Sequence, residues 1–294
     1  MRGRLAVNPV GYWLTDGVAD RSKRVLGAAY TELAEIGFRA VKADVPDDMD
    51  AAEYLPWLTS FGPEPAISLY SGTFDDPARH AEQAEAARVF AAHQASFGQA
   101  YCMISTFGPG TPRTDRPAVG AGCTAGRLAA VVDGVGQACA AMRSEGVTAA
   151  LHQHVGGWVE TEHEVRTVLG DIGPDLLAFG PNVGHLAWAG VDVPSFLRAY
   201  ADRIVAVHIK DLFTARITGA ATDEPDYRRA TRPGRLWAEP GRGRLDLAGC
   251  LAALPDRFDG DLMIEVDVPA LPLRESHETA YDWALAVLPE SVRR

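Results

Sequence analysis

Three apolar runs between residues 146 and 211 turn polar only at their carboxyl ends: Thr148 to His154 (TAALHQH), Leu176 to His185 (LLAFGPNVGH) and Ile204 to Asp211 (IVAVHIKD). Side chains alternate faces along a strand. His152 and His154 therefore share a face with Thr148 and Ala150, while Ala149 and Leu151 face the other way. In the third run His208 and Lys210 share one face and Val205, Val207 and Ile209 the other. A parallel strand with an apolar outer face for helices and polar groups only at its C-terminal tip is what a (β/α)8 barrel presents at its catalytic end.

The rest of the chain keeps that pattern. Strand-like runs fall near 4–10, 38–45, 65–71, 100–106, 148–154, 175–183, 204–210 and 262–267, with helix-like segments between them. Val25, Leu26, Tyr30, Leu33 and Ile36 recur at helical spacing before Gly37, a helix stop. A helix near 77–97 opens on Pro77 and closes at Gly98, and one near 124–145 closes at Gly146. Thr161 followed by Glu164 is a capping box that starts a helix directly after the fifth strand's loop. Eight alternating units in 294 residues favour a closed barrel over an open doubly wound sheet. No Gly-x-Gly-x-x-Gly follows the first strand, which argues against a dinucleotide fold. The predicted architecture is a single-domain α/β (β/α)8 TIM barrel over 1–294.

A hydrophobic content of 47 % suffices for one large core, and the formal charge of −11, without a run of Lys or Arg, gives no footprint for nucleic acid. No apolar h-region follows Arg2 and Arg4 and nothing approaches 18 unbroken apolar residues, so the expectation is a cytoplasmic protein with no membrane partner. Cys102, Cys123, Cys139 and Cys250 are widely spaced and read as free thiols. Two stretches exceed ordinary connections: 107–123, and 212–236 with Arg216, Arg228, Arg229, Arg232 and Arg235. Both follow strands, so both are predicted active-site loops that close over the catalytic face.

Strand parity gives further tip residues. Glu265 and Asp267 oppose Leu262, Ile264 and Val266; Lys42 and Asp44 oppose Val41 and Val45; Asn8 and Asn182 end the first and sixth strands. Imidazoles and carboxylates converging without cysteine suit Mn²⁺, Co²⁺, Fe²⁺ or Zn²⁺ with positions left open for substrate oxygens. Such a cation would polarise a carbonyl and acidify the adjacent C–H. His80, His93, His163 and His277 read as structural instead. For Lys42 and Lys210 the competing reading is a salt bridge with Asp44 and with Asp211.

The run His152 to Glu162 (HQHVGGWVETE), then Gly184 to Gly190 (GHLAWAG), then Arg203-Ile204 with Val207 to Asp211 (VHIKD) resembles the inosose dehydratase branch of the sugar phosphate isomerase/epimerase (xylose isomerase-like) superfamily. Asn8 to Trp13 (NPVGYW), Pro240 to Asp246 (PGRGRLD) and Glu265 to Pro269 (EVDVP) look like the same family, in its order and over nearly the whole chain. The resemblance implies a (β/α)8 barrel holding a divalent metal at strands five to eight and acting on polyhydroxy ketones or sugars. It implies His152, Asn182, His208 and Glu265 as the metal set, with Mn²⁺ first among Mn²⁺, Co²⁺, Zn²⁺ and Fe²⁺. The superfamily commonly has Glu where this chain has His152 and Asp where it has Asn182. One negative charge then replaces three, which weakens the hold on a hard cation.

The resulting expectation is a metal-dependent lyase or isomerase of a cyclitol or keto-sugar acting through an enediolate, with a small polyol or keto-sugar as partner and a homo-oligomer left open. His154, His185 and Lys210 are the acid and base candidates beside Glu265. Asn8, Trp13, Lys42, Glu160, Trp188 and Asp267 are the substrate-binding candidates, with Tyr12, Trp13 and Trp188 as apolar walls. The rival readings are an isomerase or epimerase with the same site, and a metal-free sugar-binding descendant motivated by Asn182.

Overall fold

The computed structural model describes residues 3–15, 17–107, 112–213 and 226–293. Its staves are β1 (Arg4–Val7), β2 (Ala40–Lys42), β3 (Glu64–Ala66, resuming at Leu69–Ser71), β4 (Tyr101–Ser105), β5 (Thr148–Leu151), β6 (Leu177–Phe179), β7 (Ala206–Ile209) and β8 (Asp261–Ile264). All neighbours are parallel. One sheet runs β7-β8-β1-β2 to the first half of β3, and the other runs from the second half of β3 through β4 and β5 to β6. Parallel bridges Phe179 to Ile204 and Asn182 to His208 join β6 to β7 and close the ring. This is the expected barrel, with shorter ladders because the polar tips leave the pairing.

The alternation seen in sequence becomes two ranks inside the barrel. Ala6, Ala40, Ala66, Met103, Ala150, Ala178, Ala206 and Met263 are buried along its interior, one from each stave. The interior of an eight-stranded barrel is just wide enough to be filled by such layers of side chains, so it is a packed core and not a pore. Two residues further along the same faces lie Asn8, Lys42, Ser68, Ser105, His152, His208 and Glu265, all buried. The opposite faces, among them Val7, Val41, Ile104, Leu151, Phe179, Val207 and Ile264, pack under the helices in the main hydrophobic core.

Helix boundaries follow the capping chemistry. Thr124 accepts from Arg127 N–H to open Ala125–Ser144, and Thr161 with Glu164 forms both halves of the capping box that opens Glu162–Asp171. Gly37 ends Lys23–Ile36 at φ 127°, where a side chain is strained and a Cβ would meet Tyr281 Oη at 2.5 Å. Among the described residues no helix is long and apolar enough to cross a membrane. The four cysteines are free.

The first long loop is pinned from beneath. Glu160, fully buried, accepts the N–H groups of Gly156 (2.8 Å), Ala118 (3.0 Å) and Gly120 (2.8 Å). Arg113, also fully buried, forks onto Glu164 (2.9 and 2.7 Å) and donates to Gly157 O and Ala121 O. Glu160 is therefore a loop anchor and not the substrate contact expected from sequence, because three backbone donors already occupy its oxygens. The Glu160→Gln variant should lose about 1–3 kcal/mol of stability, since an amide turns an N–H2 toward backbone donors. Hydrogen exchange should show faster opening of 112–121 in the variant, and unchanged protection there would contradict the anchoring role.

Candidate active site

The site is the C-terminal mouth of β5 to β8, and Glu265 is its hub. Its Oε1 accepts from Asn8 Nδ2 (2.7 Å) and His208 Nδ1 (3.1 Å), and its Oε2 from Asn182 Nδ2 (2.6 Å) and Lys210 Nζ (3.1 Å). Lys210 also donates to Asp267, and its ammonium lies 4.2 Å from the Trp237 ring centroid. Lys210 pairs with Glu265 and Asp267, not with Asp211. The Asp211 carboxylate instead accepts the N–H groups of Leu212, Gly241, Gly243 and Leu245, holding the 241–245 loop. Lys42 does bridge Asp44, at 2.5 Å.

The histidines are set by their backbone partners. His152 donates Nδ1–H to Gly180 O (2.9 Å) and His154 donates to Val155 O (2.7 Å), so each neutral ring keeps a lone pair on Nε2. Among the described residues His208 Nε2 is buried without a partner. His185 differs, since it accepts Val155 N–H on Nδ1 (3.2 Å) and so carries its proton on Nε2, 3.4 Å from Lys210 Nζ. This approach needs Gly184 beneath it, where a Cβ would lie 2.9 Å from Lys210 Cβ. The His154 and His185 rings are 3.8 Å apart between centroids, and those of His152 and His208 4.4 Å.

Burial, then repulsion from Lys210, lowers the His154 imidazolium to about 4. His185 is pushed well below its usual value by burial and then by His154 and Lys210, and His152 likewise by burial and then His208. Burial favours the neutral form of Glu265, but Lys210 and then His208 outweigh it and hold the carboxyl well below the ordinary carboxylate range. Asp267 moves up, through burial and the neighbouring Glu265, while Lys210 opposes the shift. Lys210 moves up despite its burial, because Asp267 and Glu265 favour its charge.

A depressed histidine pKa has a signed consequence for stability. Between pH 6.5 and about 4 the unfolded chain binds a proton at His154 that the folded chain refuses. Its contribution, on the order of 3 kcal/mol, is complete above 6.5 and declines as pH falls toward about 4, with His185 and His152 acting in the same direction. Urea unfolding of chelator-treated protein from pH 7 to pH 4 should trace this decline. A His154→Gln variant should show a shallower one, and an equal slope in the two proteins would count against the assignment.

The cation question turns on which donors are uncommitted. The expected quartet of His152, Asn182, His208 and Glu265 does come together, but Asn182 and His208 are bonded to Glu265, and only His152 and His208 keep an uncommitted Nε2. Asn182 gives its N–H2 to Glu265, its Oδ1 caps Val183–Trp188 through His185 N–H, and Glu265 has four donors on two oxygens. The spacing that could hold a cation lies one rank higher, where His154, His185 and Asp267 place one donor atom each within 4.8 Å of one another. Two imidazoles and a carboxylate are the donor types that borderline divalent cations take, so the composition fits such an ion. Of the three, His154 already offers a lone pair. His185 would have to move its proton to Nδ1 and release Val155 N–H, and Asp267 is shared with Lys210.

Aromatic rings enclose this upper rank. Trp188 is buried against His185 (6.2 Å) and Trp237 (5.6 Å), Phe107 lies 4.4 Å from His154, and Tyr227 lies 6.0 Å from His154 and 5.1 Å from Trp188. Burial, then Asp267 and Glu265, keep the Tyr227 phenol protonated well above its usual pKa. Phe107, Tyr227 and Trp237 were missed from sequence. They sit at loop edges where no periodicity applies, and the only signal was the length of the two loops. Residues 214–225, including Arg216, lie outside the described residues, while Arg228, Arg229, Arg232 and Arg235 are exposed. It is Tyr227 that the second loop brings to the site. Tyr12 turns away, donating to Glu32 and packing on His277, and Trp13 and Lys42 line a separate cavity beside β2.

The comparisons agree with this architecture. The chain is 26 % identical to an inosose dehydratase of Geobacillus kaustophilus (strain HTA426), over 90 % of this chain and 87 % of that protein. It is 25 % identical to an inosose dehydratase of Clostridium perfringens (strain 13 / Type A) over 138 residues, 46 % of that protein's length. The fold is shared with the structure of IOLI protein with a binding zinc atom (TM-score 0.69, 18 % identity, 97 % of this chain and 98 % of that one). It is shared also with L-ribulose 3-epimerase (TM-score 0.71, 15 % identity, 98 % and 95 %). The family model described as xylose isomerase-like TIM barrel matches residues 30–290, and with its eight parallel staves and its histidine-lined mouth the chain belongs to that family.

Proposed function

We propose that the protein is a lyase or isomerase of a cyclitol or keto-sugar, inosose dehydratase-like, working at the mouth of β5 to β8. The observation that carries this is the contact of opposites there: a charged lysine held by Glu265 and Asp267, beside histidines that burial keeps neutral. Base and acid on one face suit removal of a proton α to a ketone and delivery of one to the departing β-hydroxyl, through an enediolate. His154, with Nε2 free and Nδ1–H held by Val155, is the assigned base. Lys210 is the assigned acid, with His185 between the two. Phe107, Tyr227 and Trp188 wall this face from water, which strengthens the electrostatic interactions inside it.

A divalent cation, with Mn²⁺ first and Co²⁺, Zn²⁺ and Fe²⁺ behind it, would be held by Asp267, His154 and His185 and would polarise the substrate ketone. In that state His152 keeps its own Nε2 lone pair as a proton acceptor. An epimerase would return the proton to carbon and retain the hydroxyl. Incubation with inososes, keto-sugars and their phosphates, with and without Mn²⁺, in D₂O separates the outcomes. Loss of water marks the lyase, solvent deuterium on carbon without loss of water marks the epimerase, and no turnover of any of these compounds would remove the proposal.

The four-donor saturation of Glu265 favours the metal-free reading as the second one, and Asn182 tests it. In Asn182→Asp a carboxylate would replace the N–H2 that lies 2.6 Å from Glu265 Oε2. Without a cation the variant should lose about 3 kcal/mol through the broken buried contact. If the pair can recruit metal, millimolar Mn²⁺ or Zn²⁺ should restore the melting temperature. No restoration would show that the Asn182 and Glu265 rank holds no cation, and a wild type that also binds neither ion at His154, His185 and Asp267 would favour the metal-free reading.

A further inference from the structure

The second long loop returns to the barrel through one short turn. Asp226 caps that turn by accepting Arg229 N–H (2.8 Å), and Tyr227 O accepts both Thr231 N–H (3.0 Å) and Thr231 Oγ1–H (2.9 Å), so Tyr227–Ala230 is closed at both ends. Ala230, Leu236 and Trp237 anchor it in a small apolar cluster with Ala118 of the first loop and with Val155 and Trp188. Arg228 and Arg229 are exposed, whereas Tyr227 packs against the cluster. Its ring is held on three sides, by Trp188 at 5.1 Å, His154 at 6.0 Å and Phe107 at 6.1 Å.

Packing fixes the ring and leaves the hydroxyl. Tyr12, Tyr30, Tyr54 and Tyr70 each have a bonded hydroxyl, but among the described residues Tyr227 Oη has no hydrogen-bond partner. The side chain is half-buried, and this oxygen is not among the sealed polar atoms, so a ligand can reach it. Burial, then the charges of Asp267 and Glu265, keep it protonated, and it stands there as a neutral donor. Donors are what the strand tips lack. Asn8 and Asn182 give their N–H2 to Glu265, His152 and His154 give Nδ1–H to backbone oxygens, and Lys210 gives to Glu265 and Asp267.

We propose that Tyr227 determines specificity: its O–H donates to one hydroxyl oxygen on the loop side of the ring bound at the histidine mouth, so that the protein selects rings carrying an oxygen at that position. This rests on the placement of substrate at the mouth of β5 to β8, and it names the group that tells one polyol ketone from another. A wall needs only the aromatic ring, and phenylalanine would serve as well. A placed hydroxyl does more, because an analogue lacking the matching oxygen leaves the donor unpaired in a partly dry site, which penalises that analogue far more than a missing apolar contact would.

The test uses the full chain, chelator-treated, with an inosose and its monodeoxy derivatives, each lacking one hydroxyl, as probes. Calorimetric titration reads binding whether or not the probe is turned over. One derivative should bind wild type roughly tenfold or more weakly than the parent inosose, and Tyr227→Phe, which keeps the ring contacts and removes the O–H, should bind that derivative and the parent alike. A crystal soaked with the parent should place that hydroxyl within hydrogen-bond distance of Tyr227 Oη. Thermal melts establish that the variant is folded, and should it not be, the wild-type series and the soak decide. The proposal is overturned if folded Tyr227→Phe binds the parent as wild type does, if it weakens every derivative equally, as loss of a wall would, or if wild type binds no inosose. Turnover of the inosose without any effect of the variant would remove this proposal and leave the proposed function, whereas the binding pattern without turnover of any compound would do the reverse.

Discussion

Replacing Lys210 with Met should lower kcat/KM by about 10²–10⁴-fold, the usual worth of a positioned proton donor, and at the same time raise the protein's affinity for Zn²⁺ or Mn²⁺ at least tenfold. The two effects have one cause. The ammonium contacts Asp267 and Glu265 and sits 3.4 Å from His185 Nε2, so it lies against two of the three groups whose spacing could hold a cation. A lysine charge and a divalent ion cannot both occupy that volume cheaply: at an effective dielectric near 20, two unit charges 4 Å apart repel by about 4 kcal/mol. Methionine preserves the stem's packing against Gly184 and Trp237 and removes the competitor. Metal content after dialysis, read beside turnover, is the measurement. A Lys210→Met protein that loses activity without gaining metal would assign Lys210 to proton transfer and reject the shared cation site. One that keeps full activity would reject both.

Glu265→Gln should be the most damaging single change, abolishing measurable turnover and costing about 3–5 kcal/mol of stability, the range for breaking a buried ion pair. Glutamine offers one acceptor oxygen where the carboxylate serves four donors, so at least two of Asn8, His208, Asn182 and Lys210 lose their partner. The variant's N–H2 would face donors. Lys210 would keep only Asp267, and the balance that holds one ammonium between two carboxylates would be lost. Urea unfolding at pH 7 checks the stability, and the assay that detects wild-type turnover checks the rest. A variant that melts with the wild type would show that the hub is not the keystone of this mouth.

How far the site could be read beforehand depended on the kind of structure carrying each residue. Period-two alternation placed Asn8, Lys42, His152, His208 and Glu265 in one inward rank and His154, Lys210 and Asp267 in the next, because a strand leaves its side chains no other choice of face. The capping box at Thr161 and the stop at Gly37 were equally local, and both stand in the fold. Partners were not local. Glu160 reads as a tip carboxylate, yet its oxygens are taken by N–H groups some 40 residues earlier in the chain, at Ala118 and Gly120. Lys210 has an adjacent Asp211 in sequence, but alternation points that carboxylate to the opposite side, where it holds the 241–245 loop.

The sequence by itself therefore determined the barrel, the order of its staves and which side chains enter the mouth, since strand period, helix punctuation and turn chemistry act over a few residues. Only the tertiary structure decided which of those side chains remain free to act. Hydrogen bonds between β1, β6, β7 and β8 consume Glu265 and leave His154 its lone pair, and loops without periodicity deliver Phe107, Tyr227 and Trp237. The reason is geometric: a residue's face is set by its immediate neighbours along the chain, whereas its protonation, its partner and its access are set by groups that only closure of the barrel brings within 3 Å.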